Sequence, residues 1–215
     1  MTALAAGRLI TLEGIEGAGK STVANHVAEW LAARGIKVRR TREPGGTALS
    51  ERVRAIVLES GGELLTPVTE TLLMFAARGI HLDNLIRPAL ARGEWVVCDR
   101  FTDATRAYQG AGRGVNRVWI EELAQAVHPH LQPDCTLLLD LPVEVGLARS
   151  KRRTGDAPSD RFEAEPVQFF ERVRAAYLEL ARREPQRIRV VDAAQPLAQV
   201  ELQIEKALST VLDLN

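Results

Sequence analysis

The segment from Gly14 to Ser21 has a spacing that suits phosphate chemistry, with two glycines followed by a lysine and a serine (G-x-x-x-x-G-K-S). In this pattern, backbone N–H groups exposed at the glycines surround a phosphate chain, which also meets the N-terminus of the next helix. We expect Lys20 to reach the β- and γ-phosphates. The Ser21 hydroxyl would help to bind Mg²⁺, which needs few protein ligands because it keeps waters and phosphate oxygens. The segment therefore predicts a phosphate-binding loop.

The residues on either side of this loop predict the elements that hold it. Arg8 to Glu13 is a short run with apolar and β-branched residues, typical of a buried strand. From Ser21 the apolar residues recur at helical spacing, and Gly35 is a suitable stop. A chance glycine-rich turn is the alternative interpretation. The strand before the motif and the helix after it favour a true phosphate loop.

Strands and helices alternate along the rest of the chain. Apolar segments predict five strands, near residues 8–13, 37–41, 95–99, 135–140 and 188–192. The intervening segments include helical patterns, the longest of them from about Pro67 to Ala91. This alternation is typical of an α/β fold, here a P-loop NTPase fold with a five-stranded parallel sheet flanked by helices. No linker or internal repeat divides the sequence, so residues 1–215 are expected to form a single domain.

Composition limits the partners of the protein. The chain has 28 basic and 28 acidic residues, so its overall charge indicates neither a nucleic-acid nor a membrane-surface partner. No apolar segment approaches the roughly 18 residues of a membrane span, and the first residues do not resemble a signal peptide. Cys98 and Cys135 lie in apolar runs, which favours packing over a disulfide or metal site. We expect a cytoplasmic protein with a small-molecule partner.

Three predicted strands end in an aspartate, namely Asp99, Asp140 and Asp192. An acidic residue at this position can help to hold Mg²⁺, and position alone does not choose among the three. Asp99 is favoured because Arg100 follows it, and a guanidinium can bind a phosphate group with two hydrogen bonds. For Asp140, the expected role is to cap the helix that begins near Pro142.

A basic run from Arg149 to Arg153 ends the helix predicted to begin at Val143, and a segment with glycine and proline leads on to Arg161. Such a run is usually a solvated surface. In a phosphate-binding protein it can instead be a lid, which lowers arginines onto a transferring phosphoryl group and excludes water. We favour a short basic lid at about residues 149–161, because phosphoryl transfer requires charge neutralisation.

The segment from Thr105 to Gly114 is polar and rich in glycine, and it contains the aromatic Tyr108. We expect a loop here. Such a loop either shapes a ligand pocket or connects two elements at the surface, and the sequence pattern does not separate these interpretations.

The phosphate loop is compatible with a GTP-driven switch, an ATP-driven motor, a small-molecule kinase or a regulatory module. The sequence lacks the Asn-Lys-x-Asp stretch of a switch, and 215 residues are few for a motor. None of the four histidines is an evident general base, whereas arginines are abundant. An alcohol acceptor would need a base, but the attacking oxygen of a monophosphate is already anionic. These features favour a kinase that phosphorylates a monophosphate.

Several segments together resemble bacterial thymidylate kinase (dTMP kinase), a P-loop nucleoside monophosphate kinase. They are 14–21, 41–47 (T-R-E-P-G-G-T), 73–78 (L-M-F-A-A-R), 99–101 (D-R-F) and 107–110 (A-Y-Q-G). The resemblance extends from about Arg8 to the last predicted helix. It implies transfer of the γ-phosphoryl group of ATP to dTMP, giving dTDP for dTTP biosynthesis, with Mg²⁺ and usually in a homodimer.

The resemblance also implies roles for single residues. ATP would be bound by the loop residues Gly14, Ile15, Glu16, Gly17, Ala18, Gly19, Lys20, Ser21 and Thr22, and the metal by Ser21 and Asp99. Around the dTMP phosphate, the resemblance places Arg100 as the residue that holds it, with Glu43 and Arg54 nearby. Arg78 would bind a thymine carbonyl, and Thr105 and Gln109 would line the base pocket. Tyr108 would lie beside the sugar.

Glu16 lies inside the loop, where the resemblance places it near the 3′-hydroxyl or the metal. Family members with an acidic residue there resemble the class that supplies its catalytic arginine from the lid, which here indicates Arg153 assisted by Arg149. The lid is longer than the compact Arg-Gly-x-x-Asp-Arg form, so Lys151 and Arg152 are alternatives. The predicted catalytic residues are therefore Lys20, Arg100, Arg153, Arg149 and Glu16.

One position departs from the family pattern. The aromatic residue that stacks on thymine often lies four residues before the pocket arginine, and that position is Met74. Phe75 is one residue further, about 100° around a helix. Either Phe75 turns into the pocket or Met74 packs on the base, and we favour Phe75.

Overall fold

The structure is a computed structural model that describes residues 7–59, 63–154 and 161–212. Its five strands are β1 (Leu9–Glu13), β2 (Val38–Arg42), β3 (Trp95–Asp99), β4 (Cys135–Asp140) and β5 (Ile188–Asp192). They form one sheet in the order β2-β3-β1-β4-β5, and each adjacent pair is parallel. The predicted α/β fold with a five-stranded parallel sheet is confirmed.

Helices connect the strands and flank the sheet. They are α1 (Lys20–Ala32), α2 (Ala48–Leu58), α3 (Pro67–His81), α4 (Arg87–Ala91), α5 (Thr102–Thr105), α6 (Arg117–Val127), α7 (Val143–Thr154), α8 (Val167–Arg183) and α9 (Leu197–Leu212). Two segments are π-helical. Leu82–Ile86 joins α3 to α4, and Arg106–Gly112 follows α5. In the described part of the chain, no helix is long and apolar enough to cross a membrane.

Side chains on successive strand residues point to opposite faces of the sheet. Leu9, Val96 and Cys98 pack with the apolar residues of the Leu82–Ile86 segment and α4 on one face. Ile10 and Leu12 belong to the larger cluster on the other face, with residues of α1, α8 and α9. Burial on both faces fixes the strands, and with them the loops that leave their carboxyl ends.

The predicted helical stretch over residues 67–91 is confirmed, although it is not one regular α-helix. The π-helical segment Leu82–Ile86 separates α3 from α4. Pro88 lies in the first turn of α4 and has no N–H to donate to an earlier carbonyl. The wider turn before it accommodates this missing hydrogen bond.

The prediction of a loop at residues 105–114 is wrong, because Arg106–Gly112 is π-helical. The glycines serve close packing here. A Cβ at Gly112 would lie 2.5 Å from Phe169 Cε2 on α8, and one at Gly110 would lie 3.3 Å from Ile120 Cδ1 on α6. Because Gly112 has no Cβ, this segment can contact α8 closely. The same segment presents Tyr108 and Gln109 to a cavity that is described below.

Both cysteines, Cys98 and Cys135, are buried and free, as predicted. Cys98 Sγ donates to Arg100 O at 3.1 Å. Its sulfur lies within 4.8 Å of ligand atoms of Glu43 and His81, but the side chains of those two residues are hydrogen-bonded to each other and to further protein groups. The three side chains therefore form a packed hydrogen-bonding cluster.

Candidate active site

A cavity of about 510 Å³ lies at the carboxyl edge of the sheet, where β1 and β3 are neighbours. Most of the residues predicted to bind substrates line it, namely Glu16, Gly17, Gly19, Lys20, Ser21, Thr22, Glu43, Arg54, Arg78, Asp99, Arg100, Thr105, Tyr108 and Gln109. Gly14, Ile15 and Ala18 are in the loop but not on the cavity wall, and Ile15 and Ala18 are buried in the core. Any contact they make with a ligand would come from the backbone.

The loop between β1 and α1 has a backbone that only glycine accommodates at its centre. Gly17 has φ of 72°, and a Cβ there would lie 1.9 Å from Gly146 O at the start of α7. Lys20 Nζ donates to Gly14 O at 3.1 Å and to Ile15 O at 2.9 Å. The lysine is therefore held across the loop, with its ammonium group beside the backbone that is expected to surround phosphate.

Burial and the nearby charge of Arg100 lower the pKa of Lys20 to about 8, although the charges of Asp99, Glu16 and Glu13 act in the opposite direction. Burial, aided by the charge of Asp103, raises the pKa of Glu13 to about 8. Both groups lie where the sheet edge meets the loop. The site therefore contains titratable groups that are shielded from water, and a charge in such surroundings interacts more strongly with a bound ion than an exposed charge does.

The structure distinguishes the three aspartates that end strands. Asp140 accepts two hydrogen bonds from Arg174, at 2.7 and 3.0 Å, so its carboxylate forms an ion pair instead of the expected helix cap. Asp192 accepts from Ala194 N and Gln195 Nε2. Asp99 Oδ1 is buried and has no hydrogen-bond partner in the described part of the chain.

An unpaired buried carboxylate oxygen is costly, and a bound cation would satisfy it. Asp99 and Ser21 line the same cavity. Carboxylate and hydroxyl oxygens suit Mg²⁺, which completes its coordination with waters and phosphate oxygens. The residues present therefore fit a magnesium ion bound together with a phosphate chain.

Arg100 reaches Glu16 of the phosphate loop, and three side chains hold its guanidinium. Its Nη2 donates to Glu16 Oε1 at 2.9 Å and to Tyr108 Oη at 3.0 Å, and its Nη1 donates to Tyr177 Oη at 3.4 Å. Tyr108 Oη in turn donates to Glu16 Oε2 at 2.7 Å. The guanidinium, 18% exposed, is thus a fixed cation at the edge of the cavity and suits a phosphate group.

Arg78 is held by a buried network. Its Nε donates to Glu43 Oε2 at 2.7 Å, and its Nη2 donates to Phe101 O and Thr105 Oγ1, each at 3.1 Å. His81 Nδ1 lies 3.1 Å from the other Glu43 oxygen. Burial raises the pKa of Glu43, but Arg78 and His81 outweigh it and keep the pKa below its usual value.

Arg78 Nη1 is buried and has no partner in the described residues, so it can donate to a ligand. Glu43 was expected beside the acceptor phosphate, but its carboxylate is used to orient Arg78. His81 was not anticipated, although it lies three residues after Arg78 on the same helix, which places both on one side.

Comparison with known proteins identifies the family. Residues 12–204 match the family model described as thymidylate kinase. The chain belongs to the thymidylate kinase family. A thymidylate kinase of Alkalilimnicola ehrlichii is 56% identical over 206 residues, which are 96% of this chain and 94% of that protein. A thymidylate kinase of Pseudomonas syringae pv. syringae is 55% identical over 208 residues, which are 97% and 98% of the two chains.

Among solved structures, the thymidylate kinase from Ehrlichia chaffeensis matches with a TM-score of 0.78 and 32% identity, covering 95% of this chain and 100% of that one. Membership of the thymidylate kinase family makes this protein an ATP-dependent nucleoside monophosphate kinase with dTMP as acceptor. Mg²⁺ is the usual cofactor of the family, in agreement with the donors at Asp99 and Ser21.

For a thymidylate kinase, the choice of Phe75 as the residue on the base needs correction. Met74 lines the cavity, whereas Phe75 is 3% exposed and packs with Ile120 and Ala124 of α6. The two side chains are about 100° apart on α3, and Met74 is the one that lies on the cavity wall. The contact between α3 and α6 determines that Phe75 is the buried one.

Phe162 also lines the cavity and was not anticipated. Its ring meets that of Tyr108 edge to face, with centroids 5.9 Å apart. A single aromatic residue after a polar segment has no periodic pattern, so the sequence carried no indication of this contact.

The lid residues are only partly described. Arg149 donates to Ala193 O at 2.8 Å and does not line the cavity. The side chain of Arg153 and residues 155–160 lie outside the described part of the structure. Arg161, at the far end of the lid, donates to Glu70, which also accepts from Gln109 at 2.6 Å. Arg161 is thereby connected, through Glu70, to Gln109 on the cavity wall.

Proposed function

We propose that this cavity transfers the γ-phosphoryl group of ATP to dTMP, with the residue roles given below. The observation that carries the proposal is the position of Arg100, a fixed guanidinium in the same cavity as Lys20 and the metal-suited Asp99. A donor phosphate chain on the loop and an acceptor phosphate on Arg100 would then face each other, as in-line transfer requires.

On the donor side, backbone N–H groups of the loop and the N-terminus of α1 bind the ATP phosphates, and Lys20 neutralises charge on the β- and γ-phosphates. Ser21 and Asp99 hold Mg²⁺, which when bound neutralises charge on the phosphate oxygens. Glu16 contributes by fixing Arg100 and Tyr108.

On the acceptor side, Arg100 holds the dTMP phosphate, and one of its anionic oxygens attacks the γ-phosphorus while the bond to ADP breaks. No general base is required for an anionic oxygen. The free Nη1 of Arg78 donates to a thymine carbonyl, and Gln109 lines the base pocket. Thr105 fixes Arg78, and Met74 packs on the base.

Two further cavity residues belong to the acceptor side of this proposal. Arg54, which donates to Pro44 O at 2.9 Å, lies near the acceptor phosphate, and Tyr108 lies beside the sugar. We also propose that Arg153, with Arg149, reaches the transferring group when the lid closes. Such a movement would release Arg149 from Ala193 O.

The acceptor assignment predicts a clear order of substrates. With ATP and Mg²⁺, turnover of dTMP should exceed that of dUMP, dCMP, dGMP and thymidine, because only dTMP offers both the thymine base and the phosphate. A coupled assay of ADP release measures this order. Faster turnover of thymidine than of dTMP would contradict an arginine-held acceptor phosphate, and turnover of none would indicate a nucleotide-binding regulator.

The pKa of Lys20 predicts how ATP affinity depends on pH. Lys20 has a pKa of about 8 in the free protein, and a bound phosphate chain raises it. ATP affinity should therefore be constant below pH 8 and fall above it, by up to about tenfold per pH unit, because binding must then take up a proton. Calorimetry from pH 7 to 9.5 measures this. Lys20→Ala should bind weakly with no such slope, and an equal slope in that variant would contradict the assignment.

We propose further that the protein is a cytoplasmic homodimer of single-domain subunits. Val68 and Leu72 on α3 are 52% and 46% exposed, and this apolar surface supports α3 as the interface. Sedimentation equilibrium distinguishes a monomer from a dimer.

A further inference from the structure

Tyr177 lies on α8, far along the chain from the phosphate loop, and its hydroxyl is part of a hydrogen-bonded chain that ends at Arg100. The hydroxyl donates to Glu13 Oε2 at 2.7 Å and accepts from Arg100 Nη1 at 3.4 Å. The residue is 2% exposed, and its ring lies 6.3 Å from that of Tyr108. Neither Tyr177 nor Glu13 lines the cavity.

Glu13 is the other end of this chain. It is the last residue of β1 and is fully buried. Its Oε1 accepts the N–H of Phe101 at 2.8 Å, while its Oε2 accepts from Tyr177. Glu13 therefore holds the backbone directly after Arg100 and, through Tyr177, the side chain of Arg100.

The backbone of Arg100 requires such support. Its φ is 69°, in the left-handed region that is unfavourable for a residue with a Cβ. Its N–H donates to Leu12 O at 2.9 Å. With the Phe101 N–H bound to Glu13, the peptide groups on both sides of Arg100 are fixed to β1, and this turn directs the side chain across the cavity.

We propose that Glu13 and Tyr177 are positioning residues, which aim the guanidinium of Arg100 at the acceptor phosphate without touching substrate. The inference rests on the proposed function, in which Arg100 binds that phosphate. Glu16 and Tyr108 hold the side of the guanidinium that faces the loop, and Tyr177 holds the opposite nitrogen. Loss of the Tyr177 hydroxyl frees that nitrogen and lets the guanidinium rotate.

Tyr177→Phe is the direct test, because it keeps the buried ring and removes only the hydroxyl. We expect KM for dTMP to rise about tenfold, as for the loss of one hydrogen bond to a charged group, with a smaller fall in kcat. The Kd for ATP should change less than about twofold, since the donor side is untouched. Ser50→Ala is the matched control. It removes a buried hydroxyl that donates to Ala77 O at 2.6 Å and should leave KM for dTMP unchanged.

Glu13→Leu is a second test. It removes both carboxyl oxygens, so neither the Phe101 N–H nor the Tyr177 hydroxyl keeps its partner. This variant should raise KM for dTMP at least as much as Tyr177→Phe does. A merely structural role would lower the melting temperature of both variants and leave KM for dTMP at its original value.

A double mutant distinguishes this inference from the proposed function. If Tyr177 acts through Arg100, Tyr177→Phe should change kcat/KM for dTMP less than about twofold when Arg100 is already alanine. A full tenfold effect in that background, or an unchanged KM for dTMP in Tyr177→Phe alone, would overturn the inference. If Arg100→Ala itself leaves KM for dTMP unchanged, the role of Arg100 in the proposed function is wrong, and the inference falls with it.

Discussion

Arg100→Ala is expected to lower kcat/KM for dTMP by roughly 10²- to 10³-fold, because it removes the fixed cation on the acceptor side and leaves its half-buried acidic partner, Glu16, without a counter-charge. Glu16 Oε1 and the hydroxyls of Tyr108 and Tyr177 would lose their shared donor. The ATP side of the cavity keeps Lys20 and the loop backbone. Steady-state kinetics with dTMP varied, and calorimetry with ATP, measure the two effects separately.

Two further variants sharpen this prediction. Arg100→Lys keeps the charge but not the planar fork that binds three partners, so it should recover only part of the activity. Arg174→Ala removes an arginine that pairs with Asp140 outside the cavity and should retain dTMP affinity. Wild-type dTMP affinity in Arg100→Ala would show that the acceptor phosphate is bound elsewhere.

Lys20→Ala is expected to lower kcat by about 10²- to 10³-fold, because charge that develops on the transferring phosphoryl group loses its nearest fixed cation. ATP affinity should also fall, but the loop N–H groups remain and retain part of it. Single-turnover measurements of phosphoryl transfer at saturating ATP separate the chemical step from binding.

Lys37→Ala is the matched control for a lost lysine. Lys37 is 73% exposed and pairs with Glu94 away from the cavity, so this variant should turn over dTMP at the original rate. If kcat of Lys20→Ala stays within a few-fold of wild type, the loop lysine does not stabilise the transferring group, and the lid arginines would then carry that charge.

Much of the proposed donor site could be predicted because it is local in sequence. The glycines, Lys20 and Ser21 lie within eight residues, and their spacing alone specifies a loop between strand and helix. The strand order and the position of β3 beside β1 bring Asp99 and Arg100 to the same edge. Parallel strands have their carboxyl ends at the same edge of the sheet, so the fold class already predicts that Asp99 and Arg100 lie close to the phosphate loop.

The acceptor site depended more on tertiary structure. Met74 and Phe75 are adjacent, and only the packing of α3 against α6 decides which one faces the cavity. The segment 106–112 is rich in glycine, which is typical of loops, yet its glycines permit a π-helical segment to pack closely on α8. Local pattern cannot reveal such contacts between distant elements.

The sequence by itself determined the phosphate loop, the α/β class, the family and most of the residues along the cavity. The tertiary structure decided which carboxylate oxygen is left without a hydrogen-bond partner. Arg174 forms an ion pair with Asp140, whereas Asp99 Oδ1 has no partner among the described residues. It also decided what holds Arg100, because Tyr177 and Glu13 are 164 residues apart. Spacing encodes contacts within one turn or loop, whereas contacts across the core follow from packing of the whole chain.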